Sequence, residues 1–398
     1  YTVLDYSNNN HDGTVSGTEW NADVPLPILG CTDPSAVNYD DSYNFSTETC
    51  QFAPEYNEPV LYVSNDGSDL SGNGSGQYPY ASIQQGLDAA GPFDTISVAA
   101  GTYTENIIWP TTFGLKLIGE DKETTIIDGG DVGRVIWFNS PIIDENTELK
   151  NFTIQNGNAN DNEDHTSAGS WGGGLCLSAS SPHLMDLIIK DNFGLQGSGG
   201  IHIGNVTGVI IENVSILNNE TASINSSGGS GIYAQNAEVL LRNVLIAENT
   251  ALELGGGVYL YSGNNFTFEN VTITNNSASE GGADIFALEA GQFSAINSIL
   301  FGEISDTPTS ITYSFGSTLF FGEGNLTGAD PFLDENYVPI YGSPVINVGD
   351  PNSLLDPDGT TADMGAFYYD LTNFLGCTDP IALNYDQSAL YDNGNCIY

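Results

Sequence analysis

The run Asn213-Val214-Ser215-Ile216-Leu217-Asn218-Asn219 is one variant of a phrase this chain repeats. An Asn or Asp followed by a short apolar stretch also opens Asn151-Phe152-Thr153-Ile154, Asp186-Leu187-Ile188-Ile189, Asn243-Val244-Leu245-Ile246, Asn270-Val271-Thr272-Ile273 and Asn297-Ser298-Ile299-Leu300. Successive openings stand 35, 27, 30, 27 and 27 residues apart. A second marker keeps step with the first: Gly174-Leu175, Gly200-Ile201, Gly231-Ile232, Gly257-Val258 and Gly282-Ala283. Short β-branched segments at a near-constant period, punctuated by Gly and Asn, predict a solenoid whose coils stack their strands into parallel sheets. Apolar and polar residues alternate, so one side of each strand faces a continuous core. Asn pairs such as Asn218-Asn219 and Asn275-Asn276 suit the coil corners, because Asn accepts the left-handed backbone and stacks into side-chain ladders. Nine or ten coils at about 4.8 Å each predict a rod of roughly 45 Å.

Working outward, a solenoid must cover its first coil. Pro79 to Ala90 places Ile83, Leu87 and Ala90 on one helical face, which suits a capping helix. Thr95-Ile96-Ser97-Val98 and Gly101-Thr102-Tyr103 then begin the coils, and the solenoid is expected over residues 60–370.

Two further segments copy each other. Gly30-Cys31-Thr32-Asp33-Pro34 through Asn38-Tyr39-Asp40 to Cys50 matches Gly376-Cys377-Thr378-Asp379-Pro380 through Asn384-Tyr385-Asp386 to Cys396. Each reads as a small cystine module, 29–53 and 375–398, with Cys31 bonded to Cys50 and Cys377 to Cys396, since so short a stretch needs a staple. Asp33, Asp40, Asp379 and Asp386 are candidate Ca²⁺ ligands, and plain Asx turns explain them equally well. Residues 1–28 read as the end of a preceding β module or a linker, weakly similar to laminin-G or concanavalin-like jelly rolls.

Composition sets the setting. The chain has 398 residues, with 51 acidic side chains against 6 basic ones and a net charge of −45. That excludes sequence-independent nucleic-acid binding and electrostatic docking on anionic membranes. No stretch reaches the roughly 20 apolar residues of a membrane span. Paired cysteines point to an oxidising, extracellular compartment, where salt screens the charge and divalent cations are at hand. The chain opens at Tyr1, which suggests a processed chain or a slice of a longer one.

Tyr62-Val63-Ser64, Gly67-Ser68-Asp69, Ser82-Ile83-Gln84, Asp94-Thr95-Ile96 and Gly101-Thr102-Tyr103 resemble the opening of pectate-lyase-like right-handed parallel β-helix proteins. Gly328-Ala329-Asp330-Pro331 through Gly342-Ser343-Pro344 to Asp363-Met364-Gly365-Ala366 is similar to the closing segment of secreted bacterial members. The cystine modules resemble spacers in very large secreted proteins of marine Bacteroidetes. The implied fold is all-β: a right-handed parallel β-helix solenoid with an N-terminal capping helix, flanked by disulfide-stapled modules. This fold carries lyases, hydrolases, adhesins and stalks alike.

A lyase of this kind, as the resemblance implies, needs Asp-bound Ca²⁺ and a Lys or Arg to take the C5 proton of a uronate. The bases are Lys116, Lys122, Arg134, Lys150, Lys190 and Arg242, and so acidic a surface repels a polyuronate. The family's hydrolase signatures, Gly-His-Gly or Asn-Thr-Asp, are absent.

Long insertions before the Gly-Gly strands are expected on one face, the usual place for binding. There Asp161, Glu163, Asp164 and His165 are candidates for a cation and Trp171 for stacking on a sugar, against the alternative of a solvated loop. Alternation sends Cys176, His202, Tyr233 and Tyr259 outward, as a contact row or as stacked ladders, and leaves Cys176 a part-covered thiol outside the cystine pairs. Asp350, Asp356, Asp358 and Asp363 form the densest acidic cluster, read either as a structural Ca²⁺ site or as an Asp-rich turn.

The expected function is a non-catalytic segment of a large secreted cell-surface protein. It would act as a rod or adhesive unit contacting adjacent modules, a surface glycan or protein, or copies of itself as an oligomer or fibre. The alternative is a carbohydrate-active enzyme on the same scaffold.

Overall fold

A computed structural model of the chain describes residues 2–3, 13–14, 28–46, 50–160, 171–222, 228–288, 292–305, 308–372, 375–387, 389, 391–392 and 394–398. They fall into two units, Tyr1–Pro54 and Glu55–Tyr398.

Within Glu55–Tyr398, residues 60–327 form a parallel solenoid. Val60–Val63, Thr95–Val98 and Lys116–Gly119 start one sheet, and each later coil adds a strand in the same direction up to Ser310–Thr312. A second sheet runs from Gly101–Thr104 to Leu326–Thr327, and a third from Ile107–Ile108 to Ile285–Ala287. In the first sheet, register stacks Leu117, Leu149, Leu184, Ile211, Leu241, Phe268, Ala295 and Ile311 into one inward column. All of them are buried, so like sits on like and the core continues from coil to coil.

The corners explain the repeated Asn. Asn151, Asp186, Asn213, Asn243, Asn270 and Asn297 all have φ between 50° and 62°, the left-handed conformation that turns one strand into the next. Inside the next corner a buried ladder runs up the coils. Asn192 Nδ2 donates to Asn219 Oδ1 at 3.0 Å, Asn219 to Asn249 at 2.9 Å, Asn249 to Asn276 at 2.9 Å, and Asn276 to Asp284 at 2.9 Å. Each amide also donates to a strand carbonyl, so the backbone at the turn finds its partners without water.

The Gly marker needs one correction. Val258 pairs with Ile285, so Asp284 and not Gly282 continues the column of Gly174, Gly200, Gly231 and Gly257. Those glycines face the ladder: a Cβ on Gly257 would lie 3.0 Å from Asn276 Nδ2. At the last step the Asp284 carboxylate takes the acceptor's place of the next Asn, beside Gly302, which has no side chain to block it.

The helix spans Ile83–Ala89, with Ser82 as N-cap accepting from the Gln85 N–H. Glu105 accepts the Ile83 and Gln84 N–H groups at 2.8 and 2.9 Å. Ile83 and Leu87 are fully buried over the first coils. Beyond Leu326–Thr327, residues 328–372 carry no strand among the described residues and lie back against coils 245–297.

The two disulfides are Cys31–Cys50 and Cys377–Cys396. Each module is built the same way within its own unit. Val37 N donates to Gln51 O at 2.8 Å, and Leu383 N to Ile397 O at 2.7 Å. Asn38 Oδ1 accepts from Gln51 N, and Asn384 Oδ1 from Ile397 N, both at 2.8 Å.

Candidate functional site

The outward row of the third sheet forms as alternation requires, and it runs Trp137, Cys176, His202, Tyr233, Tyr259, Phe286. Its rings stack at 5.4 Å between His202 and Tyr233, 5.3 Å between Tyr233 and Tyr259, and 5.2 Å between Tyr259 and Phe286. The row is a ladder and not an open contact surface. Tyr259 and Cys176 are fully buried and Tyr233 nearly so, and Gly229, Gly255 and Gly282 turn with positive φ against the base of Tyr233, Tyr259 and Phe286. Cys176 is therefore covered completely, not partly. Trp171 packs edge-on to His202 and Tyr233, both at 4.8 Å. The Arg134 guanidinium lies 5.7 Å from the Trp137 ring centroid. Burial, aided by the Arg134 charge, pushes the His202 imidazole down to about 3, so it is neutral at every physiological pH. Asp161, Asp164 and His165, the other candidates of this face, lie outside the described residues.

The candidate calcium ligands are engaged in turns. Asp33 Oδ1 accepts the N–H and hydroxyl of Ser35, Asp40 Oδ1 the Ser42 N–H, Asp379 Oδ1 the Ile381 N–H and Asp350 Oδ1 the Asn352 N–H. These are Asx turns, in which the carboxylate serves the backbone two residues on. The Asp386 N–H donates to Cys377 O at 2.9 Å. Asp356, Asp358 and Asp363 do meet. Asp363 Oδ1 and Oδ2 accept from Asn347 and Tyr369, Asp356 Oδ2 from Asp363, and Asp358 Oδ2 from Leu371, all through backbone N–H groups. Among the described residues no three His, Cys, Asp or Glu side chains are grouped as a metal site.

Sequence reading did not find the groove beside that cluster. A cavity of about 910 Å³ lies between the outer face of the first sheet and the segment 338–368. Glu212, Arg242 and Glu269 stand in successive register on its floor. Arg242 Nε meets Glu269 Oε2 at 2.9 Å, and its Nη1 lies 3.8 Å from Glu212 Oε1. Asn213, Asn243, Asn270 and Asn297 run alongside, with Lys122 at one edge and Asp356, Phe367 and Tyr368 in the wall. Burial, reinforced by Asp363 and Asp358, pushes the Asp356 carboxyl up to about 7. Asp363 rises to about 6, mainly by burial and against its two N–H bonds. Register within the repeat could have flagged the floor. The wall comes from a part of the chain with no period, so no sequence signal joins the two.

Residues 106–299 match the family model described as Right handed beta helix region. No curated protein matches the chain. Among solved structures, pectate lyase Pel9A aligns at 13% identity over 79% of this chain and 97% of its own, with a TM-score of 0.44. Pectin methylesterase PemA from Erwinia chrysanthemi aligns at 13% identity over 69% and 94%, with a TM-score of 0.40. The carrot pectin methylesterase aligns at 15% identity over 70% and 86%, with a TM-score of 0.39. The solenoid of residues 60–327 is a right-handed parallel β-helix.

Proposed function

We propose that this chain is a non-catalytic segment of a large secreted cell-surface protein, a stiff unit that contacts glycans and neighbouring modules. One observation carries the reading: the bases on the first sheet's outer face are already held by carboxylates. Lys116 Nζ meets Glu148 at 2.6 Å, Lys150 meets Asp186 at 3.3 Å, and Arg242 lies between Glu212 and Glu269. A base that must take a proton from a uronate has to reach the sugar, and a side chain paired with a carboxylate is held down on the sheet instead. The stacked rings and the amide ladder support a stiff unit, since both lock each coil to the next. The two cystines fit an extracellular setting.

A second reading, a carbohydrate-active enzyme, is favoured by Asp356, whose carboxyl at about 7 lines a groove and is suited to donate a proton. One experiment separates the two. The full chain and Asp356→Asn are incubated with a polysaccharide panel, with and without Ca²⁺, while unsaturated uronate absorbance and new reducing ends are followed. The proposal expects binding without turnover for both proteins. Saturable turnover that Asp356→Asn abolishes would replace it with the enzyme reading.

A further inference from the structure

We propose that the ring row of the third sheet is a relay for one-electron oxidation, carrying an oxidising equivalent from Trp171 through Tyr233 to Tyr261 at the surface. The rings are in contact along the whole route. Trp171 meets His202 and Tyr233 at 4.8 Å between centroids, and Tyr261 meets Tyr233 and Tyr259 at 6.4 Å, close to parallel with both. Indole and phenol lose one electron more readily than any side chain except a thiolate, and they exchange it quickly when their rings touch. Among the described residues Tyr233 is the ring that joins Trp171 and His202 to Tyr259 and Tyr261. Phe286 ends the row with a ring that does not yield its electron to an oxidised phenol, so the route leaves through Tyr261.

Packing by itself does not require the hydroxyls. Phe286 holds the next register of the row without one, while Tyr233 and Tyr259 carry theirs at positions 2% and 0% exposed, where desolvating a phenol is unfavourable. Burial, reinforced by the Tyr259 and Tyr261 phenols beside it, raises the Tyr233 phenol above its ordinary value, so Tyr233 keeps its proton. A tyrosine left oxidised must shed that proton. Tyr233 and Tyr259 are sealed from solvent, whereas Tyr261 is part exposed. The covered rings therefore pass the electron on, and Tyr261 is the one that stays oxidised. Electrostatics sets the same direction. The Arg134 charge, felt at His202, stands at the Trp137 end and repels a positive hole, whereas the surface of a chain with a net charge of −45 attracts one.

With dioxygen as the oxidant of light-excited tryptophan, the steps balance. The excited Trp171 indole gives one electron to dioxygen, which becomes superoxide. Tyr261 returns one electron to the Trp171 radical cation through Tyr233 and loses its hydroxyl proton to water. The sum converts dioxygen and the Tyr261 phenol into superoxide, the Tyr261 phenoxyl radical and a proton, with Trp171 restored. The O–H bond of Tyr261 is the bond that breaks.

The test irradiates the full chain in aerated buffer with light that tryptophan alone absorbs. Peptide mapping follows the loss of Trp171, and electron paramagnetic resonance of frozen samples follows the tyrosyl radical. Tyr233→Phe and Tyr261→Phe keep the rings, and each should speed the loss of Trp171 several-fold and weaken the tyrosyl signal of the parent. Tyr259→Phe keeps the direct contact of Tyr233 with Tyr261 and should behave as the parent does. Trp109, packed on Phe138 at 4.6 Å, reports the light dose and should be lost equally in every protein. Thermal melts establish that each variant folds, and Tyr261→Phe, at the part-exposed end, carries the test if Tyr233→Phe does not. Parent-rate loss of Trp171 in either of those two variants would overturn the relay. So would a Tyr259→Phe that matches Tyr233→Phe, because a ladder that only packs is served alike by both positions.

Discussion

Asp284 shows how one residue both completes the amide ladder and weakens it. Its Oδ1 accepts from Asn276, while Oδ2 is sealed from solvent with no hydrogen-bond partner. Burial raises its carboxyl to about 6 against the pull of the Asn276 bond. A carboxyl raised on folding stabilises the protein fully below its ordinary value near 4, and that contribution is lost as pH climbs through about 6. The difference is at most on the order of 3 kcal/mol. Asp284→Asn should therefore raise the melting temperature by several degrees at pH 8, leave it nearly unchanged near pH 4, and flatten the decline between them. Parallel pH profiles for parent and variant would show that the buried charge costs nothing. The sequence marks Gly257 and Gly282 alike, and so the place of Asp284 at the end of the ladder was not legible: it depends on which column each residue faces.

At the scale of the element, the corners were legible and the turns over the rings were not. A left-handed corner rests on one residue's backbone preference, so Asn213 and its equivalents announce themselves wherever they stand. The burial of Tyr233 and Tyr259 goes instead with Gly229 and Gly255, each four residues earlier, packed against the row, which alternation alone does not encode. The ladder is the element's main polar joint. Asn249 donates to Ile216 O, Ala247 O and Asn276 Oδ1, and accepts from the backbone and side chain of Asn219. Asn249→Ala removes all of these at once and strands buried groups on two coils, a loss of about 2–5 kcal/mol. Urea unfolding should register that drop. Asn213→Ala, at an exposed corner, loses a partner that water can replace and should cost clearly less. Equal costs at the two positions would show that the corner conformation, not the buried bonding, holds the coils.

Across the whole molecule the question is how a chain with a net charge of −45 stacks strands so close together. Its length, period and cystines were legible because each recurs, whereas the groove, built from segments far apart in sequence, was not. Register supplies the answer on charge. Among the described residues, no strand pairing sets two carboxylates side by side: Glu148 stands between Lys116 and His183, Glu220 between Phe193 and Thr250, and Arg242 between Glu212 and Glu269. Acids crowd instead into turns, where they bond to backbone N–H groups and face water. Stability should then follow where a charge is placed more than how much charge there is. Arg242→Glu and Lys122→Glu shift the net charge equally, yet only the first sets three carboxylates in adjacent register. Arg242→Glu should cost about 1–2 kcal/mol, the half-exposed site keeping the figure small, and Lys122→Glu a few tenths. Melting temperatures should separate the two variants at 10 mM NaCl and draw them together at 1 M, as the screening length falls from about 30 Å to about 3 Å. Equal melting temperatures at low salt would mean that total charge, and not register, governs the stability of the stack.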